Sequence, residues 1–194
     1  GDAVDYIAEL RQADELSSLE VGRNVVVIGG GMTAIDIADQ SKRLGAENVT
    51  LIYRRGVERM AASRYEQDVA KIDGVKIICN AQPHRLIGEA DEIAAVEFEY
   101  TKTDGDGRLQ GTGEKFVVDA DMLFKAIGQK YAPDGACGLT LDGGRIAVDE
   151  ARRTSMTRVW AGGDCIAGGQ DLTVAAVEDG KIAATSMDEH LRGE

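Results

Sequence analysis

The chain has 194 residues, 43% hydrophobic and 29% charged, enough for one large or two small cores of an ordinary globular protein. Its net charge of −12 argues against nucleic acid or an anionic membrane as the main partner, because their phosphates would be repelled. No run of about 18 apolar residues marks a membrane span. Cys79, Cys137 and Cys165 contain no C-x-x-C, which excludes an adjacent dithiol centre or a Cys-only zinc site and points to a reducing cytoplasm. No signal-peptide pattern is present, and an opening Gly1 in place of Met reads as a piece of something longer.

Residues 2–20 are acidic, with Tyr6, Ile7 and Leu10 at helical spacing, and read as a surface helix and connector. The β-branched run Val25–Ile28 then meets Gly29-Gly30-Gly31 and passes into Met32-Thr33-Ala34-Ile35, a helical pattern that ends near Leu44 with Gly45 as its stop. This is G-x-G-x-x-A at Gly29, Gly31 and Ala34, set between a strand and a helix. Gly29 permits the sharp turn, Gly31 lets backbone N–H groups approach a pyrophosphate, and small Ala34 lets helix and strand pack closely. The N–H groups and positive dipole end at Met32 and Thr33 favour the anion.

A second strand, Val49–Tyr53, completes a β-α-β unit. An NAD site usually carries Asp or Glu at its end, to hold the ribose hydroxyls. Here stand Arg54 and Arg55, whose guanidinium groups suit a 2′-phosphate, so NADP(H) is the expected nucleotide. The same pair can stack on adenine without reading a phosphate, which leaves NAD(H) as the alternative.

Ser63–Ile72 reads as a helix with Tyr65, Val69 and Ile72 on one face, and Val75–Ile78 as a strand. Alternation over 93–100, the turn Asp104-Gly105-Asp106-Gly107 and the run 114–118 read as an antiparallel hairpin or meander. Met122–Ala126 is a further strand, closing with Ile127 and Gly128. Residues 134–144 read as an irregular connection, followed by short strands at 145–148 and 159–161. A long helix is expected from Thr173 to Leu191, with Val174, Val177, Gly180, Ala184, Met187 and Leu191 inward and something passing close to Gly180.

Taken together, the fingerprint, the double Arg, Ala126-Ile127-Gly128 and V-W-A-G-G-D-C…D-L-T-V-A-A-V-E-D-G over 159–180 resemble a known family. It is the flavoprotein electron-input module shared by the glutamate synthase small subunit and dihydropyrimidine dehydrogenase, with the bacterial dihydropyrimidine dehydrogenase flavin subunit as the nearest likeness. The resemblance implies an α/β chain with a Rossmann-like parallel sheet and an antiparallel meander, as in pyridine nucleotide-disulfide oxidoreductases. It further implies a connector over 1–22, an NAD(P)H-binding domain over 23–130, and the C-terminal part of a split FAD domain over 131–194.

By that likeness Gly29–Ala34, Arg54 and Arg55 hold the pyridine nucleotide, and Ala126-Ile127-Gly128 lies beside the nicotinamide. Gly163 and Asp164 meet the flavin ribityl or phosphate region, and Asp171-Leu172-Thr173 the isoalloxazine. The implied activity is hydride transfer from NAD(P)H to FAD, with electrons passed to a partner oxidoreductase subunit for pyrimidine reduction, or alternatively for glutamate synthesis. No side chain need act as acid or base. Only one dinucleotide fingerprint is present and cysteine clusters are absent, so an FAD fingerprint and iron–sulfur ligands are expected outside this chain. The piece alone is expected to be inactive, and its uncovered surface could pair two copies. A non-catalytic NAD(P)-binding regulatory module is the rival of another class. A short-chain dehydrogenase is disfavoured because Tyr65 is followed by Val69, and Tyr131 by Gly135, where Tyr-x-x-x-Lys is needed.

Overall fold

The computed structural model describes residues 1–90, 92–129, 131–132 and 138–193. The chain divides into two compact units, Gly1–Gly128 and Gln129–Glu194.

Unit 1 is built on four parallel strands: β1 (Asn24–Gly29), β2 (Asn48–Tyr53), β3 (Val75–Cys79) and β7 (Met122–Ala126), in the order β3-β2-β1-β7. A second, antiparallel sheet inserts between β3 and β7 in sequence: β4 (Ala81–Glu89), β5 (Glu92–Thr103) and β6 (Leu109–Asp119), with β5 central. The near-continuous apolar run of β1 follows from burial on both faces. Val25 and Val27 enter one core with Leu51 and the helix residues Ala34, Ile37 and Ala38, whereas Val26 enters a second core with Ile52, Val96 and Phe98 of the meander.

Helix α2 (Met32–Arg43) buries Ala34, Ile35, Ile37, Ala38 and Ser41, a stripe at spacings of three and four. Helix α3 (Arg64–Ile72) begins at a capping box in which Ser63 Oγ accepts from the Glu66 N–H and Glu66 Oε2 accepts from the Ser63 N–H.

Two expectations for unit 1 need correction, and one strand was not expected at all. The first helix, α1 (Ala3–Gln12), is no mere surface connector: Ala3 and Ile7 are buried, and the Tyr6 ring lies 4.8 Å from that of Phe124 on β7. On α3 the face of Tyr65 and Ile72 points outward, 78% and 82% exposed, and the helix buries Gln67 and Ala70 instead. Strand β4 had no sequence signal. It is an edge strand carrying Pro83 with irregular register at 83–85 and 87–88, features that break the alternation by which strands are recognised.

Unit 2 holds a two-residue hairpin, β8 (Leu141–Asp142) with β9 (Arg145–Ile146), a short 3-10 turn over Gly163–Cys165, and the long helix α4 (Thr173–Arg192). Of the connection expected over 134–144, residues 134–137 lie outside the described residues. The strand expected at 159–161 reduces to one antiparallel bridge, Arg153 with Trp160.

The inward face of α4 is also corrected. Val174, Val177, Met187 and Leu191 are exposed, while Asp179, Ala183 and Ser186 are buried. The buried positions include polar groups that already have partners: Ser186 Oγ accepts from Arg153 Nε and Trp160 Nε1, both at 3.0 Å. Gly180 faces open space, and the close approach falls at Gly162, where a Cβ would run into Asp179.

Candidate functional site

In unit 1 the carboxyl ends of the four parallel strands lie along one edge, where open α/β sheets bind ligands. Gly29 and Ala126 are register partners there, so the fingerprint of β1 and the exit of β7 are neighbours. Gly29 has φ +156°, and a Cβ on it would overlap the Ala126 carbonyl oxygen. Ala34 is fully buried against the same turn. Gly31 differs, because nothing lies within 4 Å of where its Cβ would be, so the space beside it at the start of α2 is open.

Gly31 caps α2 without a side-chain bond, and its carbonyl accepts from Ala34 and Ile35 at 3.1 and 3.2 Å. Among the described residues no backbone carbonyl accepts from the N–H groups of Met32 and Thr33. Unpaired N–H groups at a positive dipole end, beside open space, fit a bound phosphate.

At the end of β2 the Arg54 carbonyl accepts from Thr101 Oγ1 at 2.7 Å, and the Arg55 carbonyl from the Asn80 N–H at 3.0 Å. The backbone is thereby fixed while neither guanidinium is in an ion pair among the described residues. Elsewhere in the unit Arg11, Arg23, Arg43 and Arg85 are paired with carboxylates, whereas Arg64 and Arg108 also form no ion pair among the described residues. In a chain of net charge −12, two adjacent unpaired arginines are a local positive field. Beyond β7, Ile127 is 73% exposed and Gly128 has φ +100°.

Sequence reasoning passed over two residues here. Tyr53 lays its ring against Gly30, where a Cβ would strike it, and its hydroxyl donates to the Arg59 carbonyl at 2.7 Å. Arg59 itself is exposed and also outside any ion pair among the described residues. The spacing Arg54-Arg55-x-x-x-Arg59 was the available signal.

In unit 2 Gly163 is buried with φ +83°, and its position lies against Ala176 in the first turn of α4. Asp164 is exposed, and its carboxylate accepts no hydrogen bond among the described residues. Asp171, Leu172 and Thr173 are exposed at the start of α4, which has no side-chain cap; the Leu172 carbonyl accepts from Ala176 at 3.0 Å.

Behind this loop stands a pair that the sequence did not announce. Asp179 Oδ2 accepts from the Gly163 N–H at 2.8 Å, and its Oδ1 accepts from Arg152 Nε at 2.8 Å with Arg152 Nη2 also at 2.8 Å. The Gly163 N–H first, and then the Arg152 guanidinium, hold the Asp179 carboxyl below its ordinary value. An open pocket of about 350 Å³ runs beside the pair, between 148–152 and 166–170.

The sequence model of the pyridine nucleotide-disulphide oxidoreductases matches residues 1–180. The chain belongs to this family. Among its family relatives, the glutamate synthase (NADPH) small chain of Escherichia coli is 35% identical over 181 residues, which cover 86% of this chain and 38% of the relative. The NADP(+)-dependent formate dehydrogenase subunit beta of Moorella thermoacetica is 36% identical over 204 residues, 97% of this chain and 28% of the relative. The crystal structure of T. acidophilum thioredoxin reductase is 27% identical with a TM-score of 0.72, over 84% of this chain and 51% of that one. The chain thus spans less than two fifths of the curated relatives it matches. Among the described residues no helix is long and apolar enough to cross a membrane, and no His, Cys, Asp and Glu group could hold a metal ion.

Proposed function

We propose that unit 1 is the pyridine-nucleotide site of a flavin-dependent NADPH oxidoreductase and that unit 2 carries part of its flavin site. The observation that carries this reading is the pairing of two features at one sheet edge. The open space at Gly31 with unpaired N–H groups at Met32 and Thr33 suits a pyrophosphate, and the unpaired Arg54 and Arg55 suit a 2′-phosphate. Gly29, Gly30 and Ala34 shape the turn, and Ala126-Ile127-Gly128 borders it at the end of β7. Arg59 lies near enough along the chain to add a third cation.

In unit 2 the free carboxylate of Asp164 suits flavin hydroxyls, with Gly163 setting its turn. The uncapped start of α4 at Asp171-Leu172-Thr173 suits negative charge on a flavin ring. When bound, the two cofactors supply the hydride chemistry, and the chain's residues position them and keep water out. This assigns no acid or base role to His84 or His190. Electrons would leave to a partner subunit in a reducing cytoplasm. The 35% identity to the glutamate synthase small chain of Escherichia coli supports glutamate synthesis as one use of those electrons, beside pyrimidine reduction.

The test is titration of NADPH and NADH into Arg54→Ala/Arg55→Ala. Removing two charge-assisted hydrogen bonds to the 2′-phosphate should weaken NADPH by about a hundredfold and NADH by far less. Equal losses for both nucleotides refute the 2′-phosphate assignment. Absence of flavin from the full-length protein refutes the reductase reading and leaves the regulatory module.

A further inference from the structure

The segment from Gly56 to Ala62 is a strap laid over the end of β2. It holds a 3-10 turn at Val57–Arg59, closed by the Arg59 N–H to the Gly56 carbonyl at 2.9 Å and the Met60 N–H to the Val57 carbonyl at 3.3 Å. Met60 and Ala62 are buried, so the far end of the strap is anchored in the core. One hydrogen bond ties this strap to the phosphate loop, and another ties it to the end of β2. The Ala62 N–H donates to the Gly30 carbonyl at 3.1 Å, and the Tyr53 hydroxyl donates to the Arg59 carbonyl at 2.7 Å. The Tyr53 ring fills the space against Gly30, so one side chain touches the phosphate loop with its face and the strap with its tip.

We infer that the Tyr53 hydroxyl is a positioning group for 2′-phosphate recognition. It holds the backbone of Arg59 at a fixed place relative to the Gly29–Gly31 turn, so that the cations at 54, 55 and 59 are already assembled when the nucleotide arrives. A guanidinium on a fixed backbone has less freedom to lose on binding, and that saving appears only for a ligand that carries the extra phosphate. The ring and the hydroxyl therefore have separate tasks: the ring shapes the loop for any dinucleotide, and the hydroxyl serves the phosphate-bearing one. This inference rests on the assignment of Arg54 and Arg55 to a 2′-phosphate.

The experiment uses the whole chain and four probes: NADPH, NADH, adenosine 2′,5′-bisphosphate and adenosine 5′-monophosphate. Each is titrated calorimetrically into the wild type, Tyr53→Phe, Arg59→Ala and the double variant. Tyr53→Phe keeps the ring and removes one hydrogen bond. It should weaken NADPH and the bisphosphate by about fivefold while changing NADH and the monophosphate by less than about twofold. In Arg59→Ala the hydroxyl has no guanidinium left to place, so adding Tyr53→Phe should cost nothing more. Equal weakening of all four probes, no weakening of any, or full additivity in the double variant overturns the inference. A wild type that does not distinguish NADPH from NADH refutes the phosphate assignment itself, and the role of Tyr53 falls with it. A selective wild type with an equally selective Tyr53→Phe refutes the tether alone.

Discussion

Asp179→Asn tests whether the buried pair in unit 2 holds the Gly162–Cys165 turn in place. The two carboxylate oxygens divide their work: Oδ1 faces Arg152, and Oδ2 faces the Gly163 N–H. Asparagine offers one oxygen and one NH2, so whichever way it turns, a donor meets a donor. If the oxygen stays on Arg152, the buried Gly163 N–H is orphaned at a cost of about 1–3 kcal/mol. If it turns to Gly163, Arg152 loses its counter-charge, at a cost reduced by the 24% exposure of that side chain. Either way about 2 kcal/mol is lost, which for a unit this small lowers its unfolding temperature by about 10 °C. The assay is a thermal melt together with amide exchange at Gly163, which reports the turn directly. The pH dependence supplies a second check. The folded-state pKa of Asp179 lies below its ordinary 3.8, so its stabilisation is full above the unfolded value and disappears as pH falls through the folded one. The gap between wild type and variant should therefore close in strong acid. A melt within about 1 °C of wild type at neutral pH, with unchanged exchange at Gly163, refutes the reasoning.

Two neighbouring glycines should respond oppositely to the same change. Gly29→Ala forces a methyl onto the Ala126 carbonyl and should destabilise unit 1, whereas Gly31→Ala meets open space and should fold normally yet weaken nucleotide binding by covering the Met32 and Thr33 N–H groups; melts and NADPH titrations of both decide it. Asp39 is a separate case, because burial first and its hydrogen bond with Asp73 second raise its carboxyl above the ordinary value. Its Oδ1 is buried and finds no hydrogen-bond partner among the described residues. A raised carboxyl favours the folded state below the unfolded pKa, and that advantage is lost as pH rises through the folded value, so Asp39→Asn should raise the melting temperature at pH 7 and make no difference near pH 3. A lower melting temperature at pH 7 would count against it.

The parallel core was legible because its strands are buried on both faces, and an uninterrupted Val-Val-Val-Ile run has few other uses. The fingerprint was legible for a related reason, since steric demands at Gly29 and Ala34 are met by few residue types. Helix faces were less readable. On α4 the apolar residues Val174, Val177 and Leu191 repeat at helical spacing, yet the helix is seated in unit 2 through Asp179 and Ser186. Hydrophobic periodicity cannot register a buried face whose partners are an arginine, an indole N–H and a backbone amide. Tyr53 escaped notice for a similar reason. As the last residue of a β-branched run it looks like strand, and its hydroxyl acquires meaning only when the chain folds back at Arg59.

The two units are held together internally by different means, and this bears on what each can do. Unit 1 covers both faces of its parallel sheet, with separate apolar clusters around Leu51 and Phe98, so the sheet edge that carries Gly31 and Arg54 stands on a closed core. In unit 2 the buried apolar side chains among the described residues are Ile146, Ile166 and Ala183. Its shape leans on the Arg152–Asp179–Gly163 and Arg153–Ser186–Trp160 seam, while α4 leaves its valines and Leu191 outward. A nucleotide site built on the first kind of scaffold is preorganised within its own unit. The proposed flavin site stands on the second kind, its loop held by polar pairs while α4 keeps its apolar stripe exposed.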